Sequence, residues 1–113
     1  MQKYSYLILG GGRQGTAAAF DLAVFGNAEK IIIADQSISQ AELSAKRVNS
    51  LSNSSIAQPI SLDVTDSPNL LALMRNVDST LSAVPYRYNL PITEAACSAS
   101  SHLCDMGGYT EIV

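Results

Sequence analysis

The chain has 113 residues, a length that suits one domain of ordinary size with a single buried core. With 47% hydrophobic and 15% charged residues, it has the composition of a packed α/β unit rather than a disordered tail. A net charge of −3 argues against a sequence-independent nucleic-acid binder, which needs clustered Lys and Arg; the seven basic residues here are scattered. No apolar run approaches the roughly 20 residues of a membrane span. The start of the chain has neither the long apolar region nor the cleavage site of a signal peptide. The expected setting is therefore cytoplasmic, with no nucleic-acid or membrane partner.

The first apolar run, Tyr6-Leu7-Ile8-Leu9, ends on Gly10-Gly11-Gly12 and suits a buried strand meeting a tight turn. From Arg13 to Phe25 the pattern becomes helical, with Phe20 and Val24 four apart on one face, and Gly26-Asn27 supplies a stop. Lys30 to Asp35 is a second buried strand with a β-branched centre. Ser39 and Glu42 form an S-x-x-E pattern that predicts a capping box and a helix running towards Val48. A polar loop is expected from Asn49 to Ser55. A weaker strand follows over Ala57 to Leu62, and Pro59 marks it as an edge strand.

Asp66 and Pro68 then sit where a helix cap and first turn want them, ahead of Leu70, Leu71, Leu73 and Met74. Ser79 to Val84 predicts a fourth strand, stopped by Pro85. Asn89 and Pro91 open a helix carrying Ile92, Ala95, Ala96 and Ala99, and His102 to Asp105 makes a short fifth strand before Gly107-Gly108. The order βαβαβαβαβ predicts a three-layer doubly wound parallel sheet with right-handed crossovers and strand order 3-2-1-4-5, the Rossmann fold.

Within that order, Gly10, Gly12 and Gly15 spell G-x-G-x-x-G between a strand and a helix. Gly10 permits the sharp turn, Gly12 leaves room for a pyrophosphate, and Gly15 lets helix and strand pack closely. The helix N-terminus, from Arg13 and Gln14 onward, offers free N–H groups to the anion. Asp35 closes the second strand 20 residues beyond Gly15, where the dinucleotide fingerprint wants an acid for the ribose hydroxyls. A carboxylate there repels a 2′-phosphate, and Gln36-Ser37 offers no arginine to receive one, which favours NAD over NADP. Arg13 could stack on adenine, reach a phosphate, or stand solvated at the helix start.

Asp63-Val64 would face the adenine, or be an ordinary loop pair. Ala83, Val84 and Pro85 end the strand that neighbours the first at the switch point, where they should border the nicotinamide. Tyr86, Arg87 and Tyr88 could reach a substrate or cover a domain interface. His102 is the single histidine, expected at a surface or strand boundary, so no His-rich metal site is predicted. Cys97 and Cys104 are read as reduced, mostly buried thiols with neither zinc nor redox-motif spacing.

Taken together, Leu9-Gly10-Gly11-Gly12-Arg13-Gln14-Gly15, Ser82-Ala83-Val84-Pro85-Tyr86 and Leu103-Cys104-Asp105-Met106-Gly107-Gly108 resemble the saccharopine dehydrogenase family, including its lysine 6-dehydrogenase-like members. The likeness covers nearly the whole chain as that family's N-terminal NAD(P)-binding domain. It implies hydride transfer between NAD(P) and a carbon–nitrogen bond of an amino acid or amino-acid conjugate. It also implies a substrate domain beginning after about residue 109, which would complete the pocket for a small amino-acid-like substrate.

Tyr86 and Asp105 stand as candidates on the substrate side, although Asp105 equally suits bracing the Gly107-Gly108 turn; no residue matches a general acid or base. A chain carrying only the cofactor half is expected to self-associate. Two other readings compete with this one. A non-enzymatic NAD-sensing regulatory domain shares the glycine turn, but the A-V-P-Y-R-Y-N stretch suits a substrate cleft better. A short-chain dehydrogenase would need T-G-x-x-x-G-x-G and Y-x-x-x-K, and neither is present.

Overall fold

The computed structural model describes residues 2–85, 88–99 and 102–105, with the backbone alone for 89–91 and 105. Five strands, β1 (Tyr4–Leu9), β2 (Ala28–Asp35), β3 (Ala57–Ser61), β4 (Ser79–Ser82) and β5 (His102–Asp105), alternate with four helices. The helices are α1 (Arg13–Phe25), α2 (Ile38–Ser52), α3 (Ser67–Arg75) and α4 (Asn89–Ala99). All strand pairs are parallel, in the order β3-β2-β1-β4-β5. This is the expected Rossmann topology. The order in which the chain adds strands reverses between β1 and β4, beside the glycine turn.

The central strand shows why the apolar run had no alternation. Leu7 and Leu9 face one side with Leu70, Met74 and Ile92, while Ile8 faces the other with Ile31, Ile33 and Val48. Helices cover both faces, so Leu7, Ile8 and Leu9 are all fully buried. Each such side chain contributes about 1.5–3 kcal/mol by leaving water.

Several boundaries differ from those expected, each for a local reason. Helix α2 starts on Ile38, capped by Ser37, whose Oγ accepts from the Gln40 N–H at 3.3 Å. The Ser39/Glu42 pair therefore lies inside the helix and caps nothing. At its other end α2 runs to Ser52 through the stretch expected as loop, and Asn53 stops it in the left-handed region at φ 53°. Asn49 is a helical anchor: its amide donates to the Ala57 carbonyl at 3.0 Å and accepts the Ala57 N–H at 2.9 Å, tying α2 to β3.

Strand β4 ends at Ser82 rather than Val84, because Val84 and Pro85 turn off the sheet into a cleft beside Gly10. The thiols also depart from expectation, since Cys97 and Cys104 are both exposed. Cys97 is on the solvent side of α4. Cys104 lies on edge strand β5, opening onto a groove beside Tyr6 and Leu81 rather than packing under a helix. Pro59 does fall on an edge strand, β3, where a missing N–H costs no ladder bond. Asp66 caps α3 through its carboxylate to the Asn69 N–H, with Pro68 in the first turn, and His102 is exposed.

Candidate functional site

The glycine turn carries the conformations its residues were expected to supply. Gly10 sits at φ 105°, and a Cβ there would lie 2.9 Å from the Ala83 carbonyl oxygen. A Cβ on Gly15 would collide with the Gly10 carbonyl, so only glycine lets α1 approach the turn this closely. Nothing lies within 4 Å of a Cβ built on Gly12, which leaves open space in front of the helix.

That space faces an uncapped helix end. Gly12 is the N-cap of α1 and provides no side-chain hydrogen bond, and no acid occupies the first turn. By contrast, Ser37 caps α2 and Asp66 caps α3. The first N–H groups of α1, on exposed Arg13 and Gln14, therefore remain available together with the positive end of the helix dipole. The arrangement fits a pyrophosphate.

Asp35 lies across from the turn and is already engaged. Its Oδ2 accepts the Gly11 N–H at 2.8 Å, and its Oδ1 accepts the Ser37 N–H at 2.9 Å. A carboxylate has about four acceptor positions, so two remain for hydroxyl groups. The next peptide unit, between Gly11 and Gly12, is held by Gln40, whose side-chain amide donates to the Gly11 carbonyl at 2.7 Å. The Gly10 N–H adds a bond to the Ala34 carbonyl at 2.7 Å. The turn is thus fixed by β2 and α2 before any ligand arrives.

Beyond Asp35 opens a cleft of about 240 Å³. It brings together Gly10, Asp35, Asp63, Val64, Val84 and Pro85. Thr65 donates both its hydroxyl (2.6 Å) and its N–H (2.9 Å) to Asp63 Oδ1, holding that carboxyl below the usual carboxylate range. Asp63 is therefore ionised at neutral pH at the edge of the cleft.

Other expected residues are placed differently. Ala83 lies behind the cleft, with its N–H on the Leu9 carbonyl at 2.8 Å and its own carbonyl against Gly10. Arg13 lines a separate groove between α1 and α2 rather than the Asp35 cleft. Tyr86 and Arg87 lie outside the described residues, as does the Gly107-Gly108 turn. Of Asp105 the backbone pairing with Ser82 is described.

Sequence reasoning missed Gln40, and it did not foresee that Gln36 and Tyr88 line the Asp35 cleft. Gln40 reaches the turn from 29 residues away, a contact that local patterning does not announce. Its signal was the S-x-x-Q spacing from Ser37, obscured by the S-x-x-E two residues on. Among the described residues no group of three His, Cys, Asp or Glu side chains could hold a metal, and no helix is long and apolar enough to cross a membrane.

The model of the family described as saccharopine dehydrogenase NADP binding domain matches residues 6–112. The chain belongs to the saccharopine dehydrogenase family. It is an NAD(P)-binding Rossmann domain of the saccharopine dehydrogenase type. Among solved structures it is similar to saccharopine dehydrogenase (L-Glu forming) from Saccharomyces cerevisiae, at 24% identity and a TM-score of 0.78. That match covers 92% of this chain and 22% of the yeast protein.

The domain is also similar to a UDP-glucose-4-epimerase from Stenotrophomonas maltophila with bound NAD, at 17% identity and TM-score 0.75, covering 90% of this chain and 36% of that one. A short-chain dehydrogenase/reductase from Veillonella parvula in complex with NADP matches at 12% identity and TM-score 0.68, over 90% of this chain and 46% of the other. At these identities the likenesses show the fold. This saccharopine dehydrogenase domain spans less than half the length of each of the three proteins.

Proposed function

We propose that this domain binds NAD as the cofactor half of an oxidoreductase. That enzyme moves hydride between the nicotinamide and a carbon–nitrogen bond of an amino acid or amino-acid conjugate. The single observation that carries the binding mode is Asp35, a carboxylate with two acceptor positions left open, set beside an uncapped helix end and a cleft. The pyrophosphate lies at the start of α1, against Gly12 and the N–H groups of Arg13 and Gln14. The ribose hydroxyls donate to Asp35, and the adenine enters the cleft between Val64 and the Val84-Pro85 wall.

This puts Val84 and Pro85 at the adenosine end of the cofactor rather than beside the nicotinamide. The family's description names NADP, and structural neighbours carry either cofactor. What supports NAD here is the charge of Asp35, which opposes a 2′-phosphate at the same position.

The nicotinamide would supply the hydride chemistry; the domain's residues bind and orient the carrier. A second domain, following this one in the longer protein, would close the cleft and hold the small amino-acid-like substrate. The catalytic groups belong to that assembled site, with Tyr86 and Asp105 as this domain's candidates. Family membership and the short span against the yeast relative support this division of labour. Two exposed cysteines that are not in a disulfide suit a reducing compartment, and we place the protein in the cytoplasm.

Isothermal titration with NAD⁺ and NADP⁺ tests the cofactor assignment. The expected result is tighter binding of NAD⁺, weakened on the order of tenfold in Asp35→Ala by loss of about 1.4 kcal/mol. Tighter binding of NADP⁺ would overturn it. For the reaction, the longer protein should reduce NAD⁺ with lysine-like amines or their conjugates; turnover confined to alcohols would refute the carbon–nitrogen assignment.

A further inference from the structure

The large apolar side chains that remain exposed are concentrated on one layer of the molecule. Val24 and Phe25 end α1, and Ile38, Leu43 and Leu51 lie along α2, with Phe25 at 77%, Leu43 at 65% and Leu51 at 58% exposure. Among the described residues, the α3–α4 layer exposes none of this size. None of the five serves the dinucleotide cleft. Isolated exposed leucines are ordinary, but a cluster on one face marks a surface that meets something.

Between the two helices runs a groove of about 600 Å³, whose apolar lining includes Ala17, Phe20, Leu43 and Leu51. Its charged residues are Arg13 and Arg47, in a chain whose net charge is −3. The groove therefore calls for an apolar surface that brings carboxylate. Such a surface lies on α1 itself. Arg13, Ala17 and Asp21 recur at four-residue spacing, which places them on one stripe of the helix, and all three are exposed. Ala17 sits midway between the opposite charges, and its small side chain permits a close helix crossing.

We propose that this chain pairs with a second copy of itself through the α1–α2 face, the two α1 helices crossing antiparallel at Ala17. A two-fold axis through that point sets Arg13 of each copy against Asp21 of the other, forming the same ion pair twice. An isologous interface requires such self-complementarity, because one patch must serve as both partners. The exposed Val24–Phe25 end of one α1 then runs towards the Leu43 end of the other copy's groove, taking these side chains out of water. Arg13 thereby has a role apart from adenine or phosphate contact, in keeping with its place in the groove rather than the cleft.

Sedimentation velocity over a concentration series tests this, with circular dichroism confirming that each variant folds. The unmodified chain should form a dimer. Asp21→Arg and Arg13→Asp should each raise its dissociation constant, roughly tenfold for the two symmetric pairs lost. The double variant Arg13→Asp/Asp21→Arg should recover the original value. Ala17→Glu, which sets two carboxylates face to face on the axis, should also yield monomer. A chain that stays monomeric, a dimer indifferent to the single changes, or a double variant that fails to recover would each overturn the proposal.

Discussion

Asp35 and Gln40 between them hold the two peptide units that flank Gly11. One accepts the Gly11 N–H and the other donates to the Gly11 carbonyl, so both planes are fixed in the orientation that exposes the start of α1. An unliganded turn held this way has less order left to acquire on binding. Gln40→Leu should therefore weaken NAD⁺ binding about 3- to 10-fold, equal to about 0.7–1.4 kcal/mol. Equilibrium urea unfolding should show a loss of about 1 kcal/mol, the net worth of one hydrogen bond. Unchanged affinity in a stably folded variant would show that the turn does not depend on α2.

The places of Gly10, Gly12, Gly15 and Asp35 around one turn were legible in the sequence because a short motif at fixed offsets encodes them. Gln40 was not, because its contact is set by how α2 leans on the turn. The same separation hid the engagement of Asp35, whose spacing announces a ribose partner but not the two N–H groups it already holds.

At the scale of elements, the helix ends distinguish structure from function. Helices α2 and α3 have side-chain caps, whereas α1, which starts at the glycine turn, has none. Its far end is secured instead by Tyr6, whose hydroxyl donates to the Gly26 carbonyl at 2.6 Å and so ties α1 to β1. Burial pushes the Tyr6 phenol above its ordinary value, with Tyr4 and Asp78 adding to the effect. The sign follows from linkage: stability from this phenol is full below the ordinary tyrosine range and is lost as pH rises through the raised value.

Tyr6→Phe should cost about 0.5–1.5 kcal/mol at neutral pH, and it should flatten the alkaline limb of a stability–pH profile measured by urea unfolding. An unaltered alkaline limb would show that the bond does not hold α1. Element types were readable from periodicity and turn residues, but ends were not. Ser37 and Ser39 both begin an S-x-x-E/Q pattern, and the short connection from Asp35 decides for Ser37. Val84 continues an apolar run yet leaves the sheet, because the turn at Gly10 occupies the neighbouring edge.

At the scale of the whole molecule, strict βα alternation made the sheet order predictable, since right-handed parallel crossovers leave few alternatives. Burial of particular side chains was less accessible. The cysteines looked apolar enough for the core, yet Cys97 falls on the outer face of α4 with Thr93, Glu94 and Ser98, and the edge position of β5 exposes Cys104. Nor did local pattern reveal that Val84 and Pro85 would meet Asp63 across one cleft, because that depends on two loops from opposite sides of β1.

In the proposed binding mode one dinucleotide spans the α1 start and the Asp35 cleft. Backbone amide chemical shifts during NAD⁺ titration test it most directly. The Gly11, Gly12, Arg13 and Gln14 amides should move together with those of Ser37 and Val64, while α3 stays still. Shifts confined to the α1–α2 groove around Leu43 and Leu51, or spread over α3, would contradict it.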